Sequence, residues 1–359
     1  MATENVNPVL ERPIFVTDLD MHSAEALMCR LEEPRYRAIQ LLRWIYNRHA
    51  SSFEEMTDFP ETLRVKLAGE FSMSSVTEIK RQEARDGTVK ALLSLYDKKT
   101  IETVVMPAPT GRGYTVCVSS QVGCPVCCPF CATGRQGFER NLSAPEIVDQ
   151  MVYFIRRLDK RRITNVVFMG MGEPLANYDN LIAAIERINA PWGLGLGARN
   201  ITVSTAGIVT GIERLARAKV QVGLAVSLHA ANDVLRNELV PLNGKYPLSI
   251  LMPAVREYIK FTGRRVSFEY CLFEGINDSL AQARELAHLI RGMNAHINLI
   301  ASNESCTGYR SPPRERTLKF ETELVRLGIN VTLRRSYGRE IKAACGQLKS
   351  EATRIRNSE

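Results

Sequence analysis

The stretch Thr115-Val-Cys-Val-Ser-Ser-Gln-Val-Gly-Cys124-Pro-Val-Cys-Cys-Pro-Phe-Cys131 decides how the rest of the chain is read. Its opening, Thr115 to Ser120, is β-branched or small and predicts a strand. Four cysteines, Cys124, Cys127, Cys128 and Cys131, then crowd into the turn beyond it. In parallel βα folds the loops after the strand C-termini build the active site, so thiols placed there face a substrate.

Working outward, the same alternation of short β-branched runs and longer helical stretches recurs down the chain. Strands are expected at 165–171, 200–205, 222–228, 265–273 and 296–301, with a final run at 330–335. Helices are expected near 144–158, 178–188, 210–218, 250–258, 280–291 and 316–327. The first of these carries a capping box, Ser143 with Glu146. Six βα repeats predict an α/β protein, a partial (βα)6 TIM-like barrel rather than a doubly wound sheet. Upstream, Tyr36, Ile39, Leu42, Ile45 and Tyr46 fall near helical spacing after Pro34, and Leu63 and Leu67 follow Pro60, so a small helical domain is expected. The reading divides the chain into a helical domain at 1–84, a β-hairpin connector at 85–110, the barrel at 111–348 and a tail at 349–359.

The 359 residues are 45% hydrophobic and 24% charged, which excludes a disordered or collagenous chain. No apolar run approaches the roughly 18 residues of a membrane span, and the start lacks a signal-peptide pattern, so no membrane partner and a cytoplasmic location are expected. The net charge of +8 and pI near 9.0 permit a polyanionic partner. Nine cysteines with four clustered suit metal ligation in a reducing compartment better than a disulfide framework. Cys124, Cys128 and Cys131 form Cys-x3-Cys-x2-Cys, able to hold three irons of a cubane and leave the fourth open. Structural zinc recruiting Cys127 or Cys117 is the competing reading, as is a Cys-x2-Cys-x3-Cys register through Cys127.

The cysteine spacing, with an aromatic residue before Cys131, resembles the radical S-adenosylmethionine (SAM) superfamily, and implies a radical SAM barrel binding one [4Fe-4S] cluster and SAM, two per turnover. Met169-Gly-Met-Gly172-Glu173-Pro174 resembles the motif that holds the methionine amino group. Ser204, the run Ser227-Leu228-His229, and Asn303 end later strands, where cofactor contacts are expected. Further segments, Cys117 to Cys124, Gln136 to Leu142 and Ala343-Ala-Cys345-Gly-Gln-Leu348, are similar to the RlmN/Cfr family of RNA adenine methyltransferases. With Arg37 to Gln40, Trp44 to Tyr46 and Met56-Thr57, the resemblance covers nearly the whole chain.

By that resemblance, one SAM methylates Cys345 and a second yields a 5′-deoxyadenosyl radical that activates the S-methyl group. The methylene adds to adenine, Glu102 accepts the ring proton, and Cys117 releases the product by forming a disulfide with Cys345. The implied substrate is adenine C2 in 23S rRNA at the peptidyl-transferase centre, with a tRNA anticodon-loop adenine as a second one. The implied partners are a flavodoxin or ferredoxin as electron donor and a thiol reductant. Pro174 leans to the C2 branch against the alternative of C8 methylation. A reading from another class is a zinc-stabilised RNA-binding protein without catalysis, which would have no use for Cys117 and Cys345. Taken singly, these two cysteines read as buried small hydrophobes, Glu102 as a solvated strand residue and His229 as a packing histidine. Cys29, Cys271 and Cys306 receive no role, the basic run 156–162 reads as a solvated helix end, and Gly193 to Gly197 as a flexible connector.

Overall fold

The computed structural model describes residues 12–108, 111–158, 163–303, 308–334 and 336–349. Cys306, Lys160 to Arg162 and the tail from residue 350 lie outside them. Three helices come first: α1 (Met21–Arg30), α2 (Tyr36–Tyr46) and α3 (Glu61–Glu70). Asp20 starts α1 by accepting the Ser23 N–H at 2.8 Å, and α2 buries Leu41, Leu42, Ile45 and Tyr46 on one stripe.

The chain then turns to strand earlier than expected. β1 (Thr77–Glu83) occupies residues read as the end of the helical piece, and pairs antiparallel with β2 (Val89–Ser94). None of its residues is buried. A charged edge strand of this kind resists further pairing and carries no apolar alternation to betray it. β3 (Thr100–Pro107) pairs with β2, setting Leu92 opposite Glu102, and then runs antiparallel to β4 (Tyr114–Cys117). The hairpin read as a connector is thus continuous with the barrel sheet.

Beyond β4 a small two-stranded sheet, β5 (Gln121–Gly123) and β6 (Phe138–Asn141), brackets the cysteine loop and the short helix α4 (Ala132–Gln136). The βα series continues with α5 (Ala144–Ile155), β7 (Ile163–Phe168), α6 (Tyr178–Asn189), β8 (Ile201–Thr205) and α7 (Val209–Arg217). β9 (Gly223–Ser227), α8 (Asp233–Leu239), α9 (Leu248–Thr262), β10 (Val266–Leu272) and α10 (Leu280–Ile290) follow. β11 (Ala295–Ala301), α11 (Arg314–Arg326) and β12 (Val331–Leu333) complete it. The strand order is β1-β2-β3-β4-β7-β8-β9-β10-β11-β12, parallel from β4 onward. This is an open, partial TIM-like barrel, as expected.

The capping box at α5 is present, with the Glu146 carboxylate accepting the Ser143 N–H at 2.8 Å. The helical domain is tied to the barrel by polar contacts. Arg187 of α6 donates to the carbonyls of Thr17 and Asp18 at 3.0 and 2.6 Å, and buried Asp149 of α5 accepts from Ser75 N at 2.7 Å. Gly193 sits where a Cβ would meet the Arg187 carbonyl at 1.8 Å, so the first glycine of the Gly-rich segment is packed against α6, while Gly195 has open space around it. No helix among the described residues is long and apolar enough to cross a membrane.

Candidate active site

β8 and β11 end at Thr205 and Ala301 as expected, whereas β7 stops three residues short of its expected end because those residues turn aside to build a cavity. β7 ends at Phe168, and Gly170 then packs so closely on Val118 and Ser119 that a Cβ would lie 2.7 Å from each. Gly172 follows at φ +107° against Ser120 and Gln121, where a side chain would be both strained and obstructed. These two glycines let the β7 end lie flat beside the β4 end, and the space above is about 1020 Å³ of empty volume open to solvent.

Cys124, Cys128 and Cys131 line this cavity together with Gly172, Glu173, Ser204, Ser227, His229, Asn303 and Cys345. Cys124 N–H donates to the Gly137 carbonyl at 2.9 Å, and Gly134 of α4 approaches Cys128 so that a Cβ would sit 2.8 Å from its N and O. Cys127 is different: it is exposed, has φ +57°, points its sulfur toward the Cys124 and Pro125 carbonyls, and does not line the cavity. Leu228 is also absent from the lining, its side chain fully buried in the core.

The donor set fits an iron-sulfur cluster. Burial pushes the Cys124 thiol up to about 12 and the Cys128 thiol well above the ordinary range, and neighbouring cysteines add to both shifts. Such thiols stay protonated until a cationic centre displaces the protons. No three His, Cys, Asp or Glu side chains among the described residues are gathered tightly enough for a single ion. A cubane instead takes one thiolate per iron and spreads its ligands.

Glu173 is 3% exposed, and burial raises its carboxyl to about 7. Its oxygens accept the N–H groups of Leu175 and Ala206 at 3.1 and 2.6 Å, which fixes the carboxylate between the ends of β7 and β8. His229, at φ +61°, accepts the Cys271 N–H on Nδ1 at 3.0 Å, and burial, with Arg236 nearby, lowers its pKa to about 3, so it is neutral. Asn303 Nδ2 points at the Cys345 carbonyl at 3.5 Å, while its Oδ1 accepts from Arg339 at 3.0 Å.

A second cavity lies behind the first. Cys117 and Cys345 both line it, with Met169, Asn303 and Arg334, and Cys345 belongs to both cavities. The carbonyl of Gly346 accepts the Ala132 N–H at 2.8 Å and that of Leu348 accepts the Thr133 hydroxyl at 2.7 Å, docking the Cys345 segment on the cysteine loop's helix. Burial pushes the Cys117 thiol up to about 12, and the charge of Arg334 opposes that rise. Both thiols are free.

Glu102 lines neither cavity. Its buried carboxylate pairs with Lys90 at 2.9 Å and accepts the Lys349 N–H at 2.8 Å. Sequence reasoning missed Lys90, Arg236, Glu269 and Arg334. A lysine in the otherwise apolar run Val89 to Leu93 and an arginine on a helix buried on one side were the available signals, but only pairing register and packing show what they face.

Comparisons with known proteins show the family of the chain. The radical SAM superfamily profile matches residues 118–287, and the ribosomal RNA large subunit methyltransferase N-terminal domain matches residues 15–73. A protein of Syntrophomonas wolfei named a probable dual-specificity RNA methyltransferase RlmN is 45% identical over 94% of this chain and 97% of its own length. One of the same name from Geobacillus kaustophilus is 46% identical over 91% and 90%. The crystal structure of a radical SAM methyltransferase from Sphaerobacter thermophilus superposes with a TM-score of 0.92 at 47% identity, covering 94% of this chain and all of that one. The chain belongs to the RlmN family of radical SAM RNA methyltransferases, which work with a [4Fe-4S] cluster and SAM.

Proposed function

We propose that this enzyme methylates C2 of an adenine in 23S rRNA at the peptidyl-transferase centre, and an anticodon-loop adenine of tRNA, through an S-methyl group on Cys345. The observation that carries this reading is the position of Cys345 at the junction of two cavities, one shared with Cys124, Cys128 and Cys131, the other with Cys117. A methyl carrier needs one face toward the donor and another toward the thiol that releases it.

Cys124, Cys128 and Cys131 would hold the cluster. When bound, the cluster and SAM supply the radical chemistry that an electron-poor ring carbon demands. Glu173 would pair with the methionine ammonium, while Ser204, Ser227, the backbone at Leu228, His229 and Asn303 position the rest of the cofactor. The Cys345 thiolate takes a methyl group from the SAM sulfonium, one S–C bond forming as another breaks. Once the Cys345 methylene has joined C2, Glu102 would accept the ring proton as the Lys349 amide withdraws from it, and the unpaired electron of the adduct would pass to the one-electron acceptor that the bound cluster would supply. Cys117 then attacks the Cys345 sulfur, the S–S bond forms, and the electron pair of the broken S–C bond goes to the product carbon, which takes a proton. A thiol reductant resets the pair, and a flavodoxin or ferredoxin supplies electrons. The helical domain to about residue 84 grips RNA, and the enzyme works in the cytoplasm.

The test is nucleoside mass spectrometry of 23S rRNA and tRNA after anaerobic turnover. 2-Methyladenosine in both is expected. 8-Methyladenosine, or tRNA left unmodified, refutes the corresponding part of the reading.

A further inference from the structure

The helix α8 holds the largest fully buried side chain of the described residues, Arg236, at 0% exposure. Its guanidinium binds mainly neutral oxygens. Nη2 donates to the Ala206 carbonyl at 2.6 Å, Nε to the Leu228 carbonyl at 3.2 Å, and Nη1 to the Asn243 side-chain oxygen at 2.7 Å. A weaker contact reaches the Ser227 carbonyl at 3.4 Å. No ion pair of Arg236 is found among the described residues; Asp233 is linked to it by a hydrogen-bonded bridge through Asn243, whose Nδ2 donates to Asp233 at 2.9 Å. Burial pulls the guanidinium down to about 10, so it remains a cation at neutral pH.

Burying a cation without a direct carboxylate partner costs several kcal/mol, roughly as breaking a buried ion pair does. Tying two strand ends together would need only a neutral donor. The location explains what the charge faces. Leu239 of α8 packs in one apolar cluster with Cys124, Val126 and Ala206, with Leu235 and Cys128 against it. This seats Arg236 between the cysteine loop and the ends of β8 and β9. The carbonyls of Ala206 and Ser227 that hold its guanidinium belong to residues lining the same cavity as Cys124, Cys128 and Cys131.

We propose that Arg236 is the fixed positive charge of the cluster site, a positioning residue that raises the reduction potential of the cluster held by Cys124, Cys128 and Cys131. A cubane with three thiolates is anionic in its oxidised form and gains one more negative charge on reduction. A nearby buried cation therefore stabilises the reduced form more than the oxidised one. The inference concerns the cluster alone and is independent of which RNA carbon is methylated.

The test is a redox titration of the reconstituted full-length enzyme, the reduced cluster being followed by electron paramagnetic resonance. Arg236→Met should move the potential to a more negative value, whereas Arg236→Lys, which keeps the charge, should stay near that of the unaltered enzyme even if its melting temperature falls. Asp233→Asn removes the anion that partly offsets Arg236 and should move the potential in the positive direction. Equal potentials for the Met variant and the unaltered enzyme, or a shift of Asp233→Asn in the negative direction, would overturn the proposal. If the Met variant takes up no cluster, the sign of the Asp233→Asn shift decides alone. A purely structural arginine would lower cluster content in all its variants and leave the potential unmoved.

Discussion

The ammonium of Lys90 stands 2.9 Å from the carboxylate of Glu102, with both side chains almost wholly withdrawn from solvent. The pair joins β2 to β3 diagonally, since Glu102 lies opposite Leu92 in the register. The second carboxylate oxygen takes the N–H of Lys349, and the Lys90 ammonium also reaches the Lys342 carbonyl at 3.3 Å. Glu102 is therefore knotted to the segment that carries Cys345. Lys90→Met strands a buried carboxylate and should cost about 3–5 kcal/mol in urea unfolding, whereas Lys90→Met with Glu102→Leu should recover much of that loss. Glu102→Gln should still acquire a methyl group on Cys345 but fail to turn over. Equal stability of the single and double variants would refute the pairing argument.

Replacing Cys124, Cys128 or Cys131 with alanine should abolish iron and sulfide uptake and the reductive cleavage of SAM. Cys127→Ala should retain both, because its sulfur turns away from the cavity toward backbone carbonyls. Elemental analysis of anaerobically reconstituted protein reads the outcome. Full iron in Cys128→Ala with loss in Cys127→Ala would reverse the register.

Burial raises the Glu173 carboxyl from 4.5 to about 7. The folded protein then holds the proton that the unfolded chain has released, so this group's contribution to stability is present below about 4.5 and is lost as pH rises through about 7. An ammonium group prefers the ionised carboxylate, so SAM affinity should run the other way, rising with pH up to about 7 and levelling above it. Calorimetric titration should show this slope in the unaltered enzyme and a weaker, flat profile in Glu173→Gln. A slope retained in the Gln variant would assign the dependence to another group.

Much of the barrel was legible because β-branched runs and amphipathic helices alternate from Ala144 to Leu333, with α8 the one helix added to the expected series. The cysteine loop was legible for the same reason that makes it chemical: thiols at that spacing have few other uses. What stayed hidden depended on long-range packing. β1 is a polar edge strand with nothing buried to mark it, and Lys90 faces Glu102 only once β2 and β3 are in register. Leu228 was read as a cofactor contact from its neighbours; its side chain is fully buried in the core and its carbonyl accepts from Arg236. Arg236 received no reading, because no helix was expected at 233–239 and sequence gives no sign that α8 packs on the cysteine loop.

The two distant thiols give the sharpest test. Cys117 lies behind Cys345 in the second cavity, and burial pushes its thiol up to about 12, so little of it is thiolate at neutral pH. Removing it should leave methylation of Cys345 and addition to the ring intact but block release, and a covalent protein–RNA adduct should accumulate. Cys345→Ala should form no adduct, because a direct displacement at a ring carbon lacks the nucleophilic intermediate that carries the methyl group. In the unaltered enzyme, release should quicken about tenfold for each unit of pH while the thiol remains mostly protonated. Arg334 lines the same cavity and opposes the rise at Cys117, so Arg334→Met should slow release further at neutral pH. Denaturing electrophoresis with labelled RNA, then nuclease digestion and peptide mass spectrometry, reads each case. Normal turnover by Cys117→Ala, or an adduct mapped to Cys271, would sink the assignment of both thiols, since Cys271 lines the first cavity with Cys345 and is a thiol there outside the proposed cluster set.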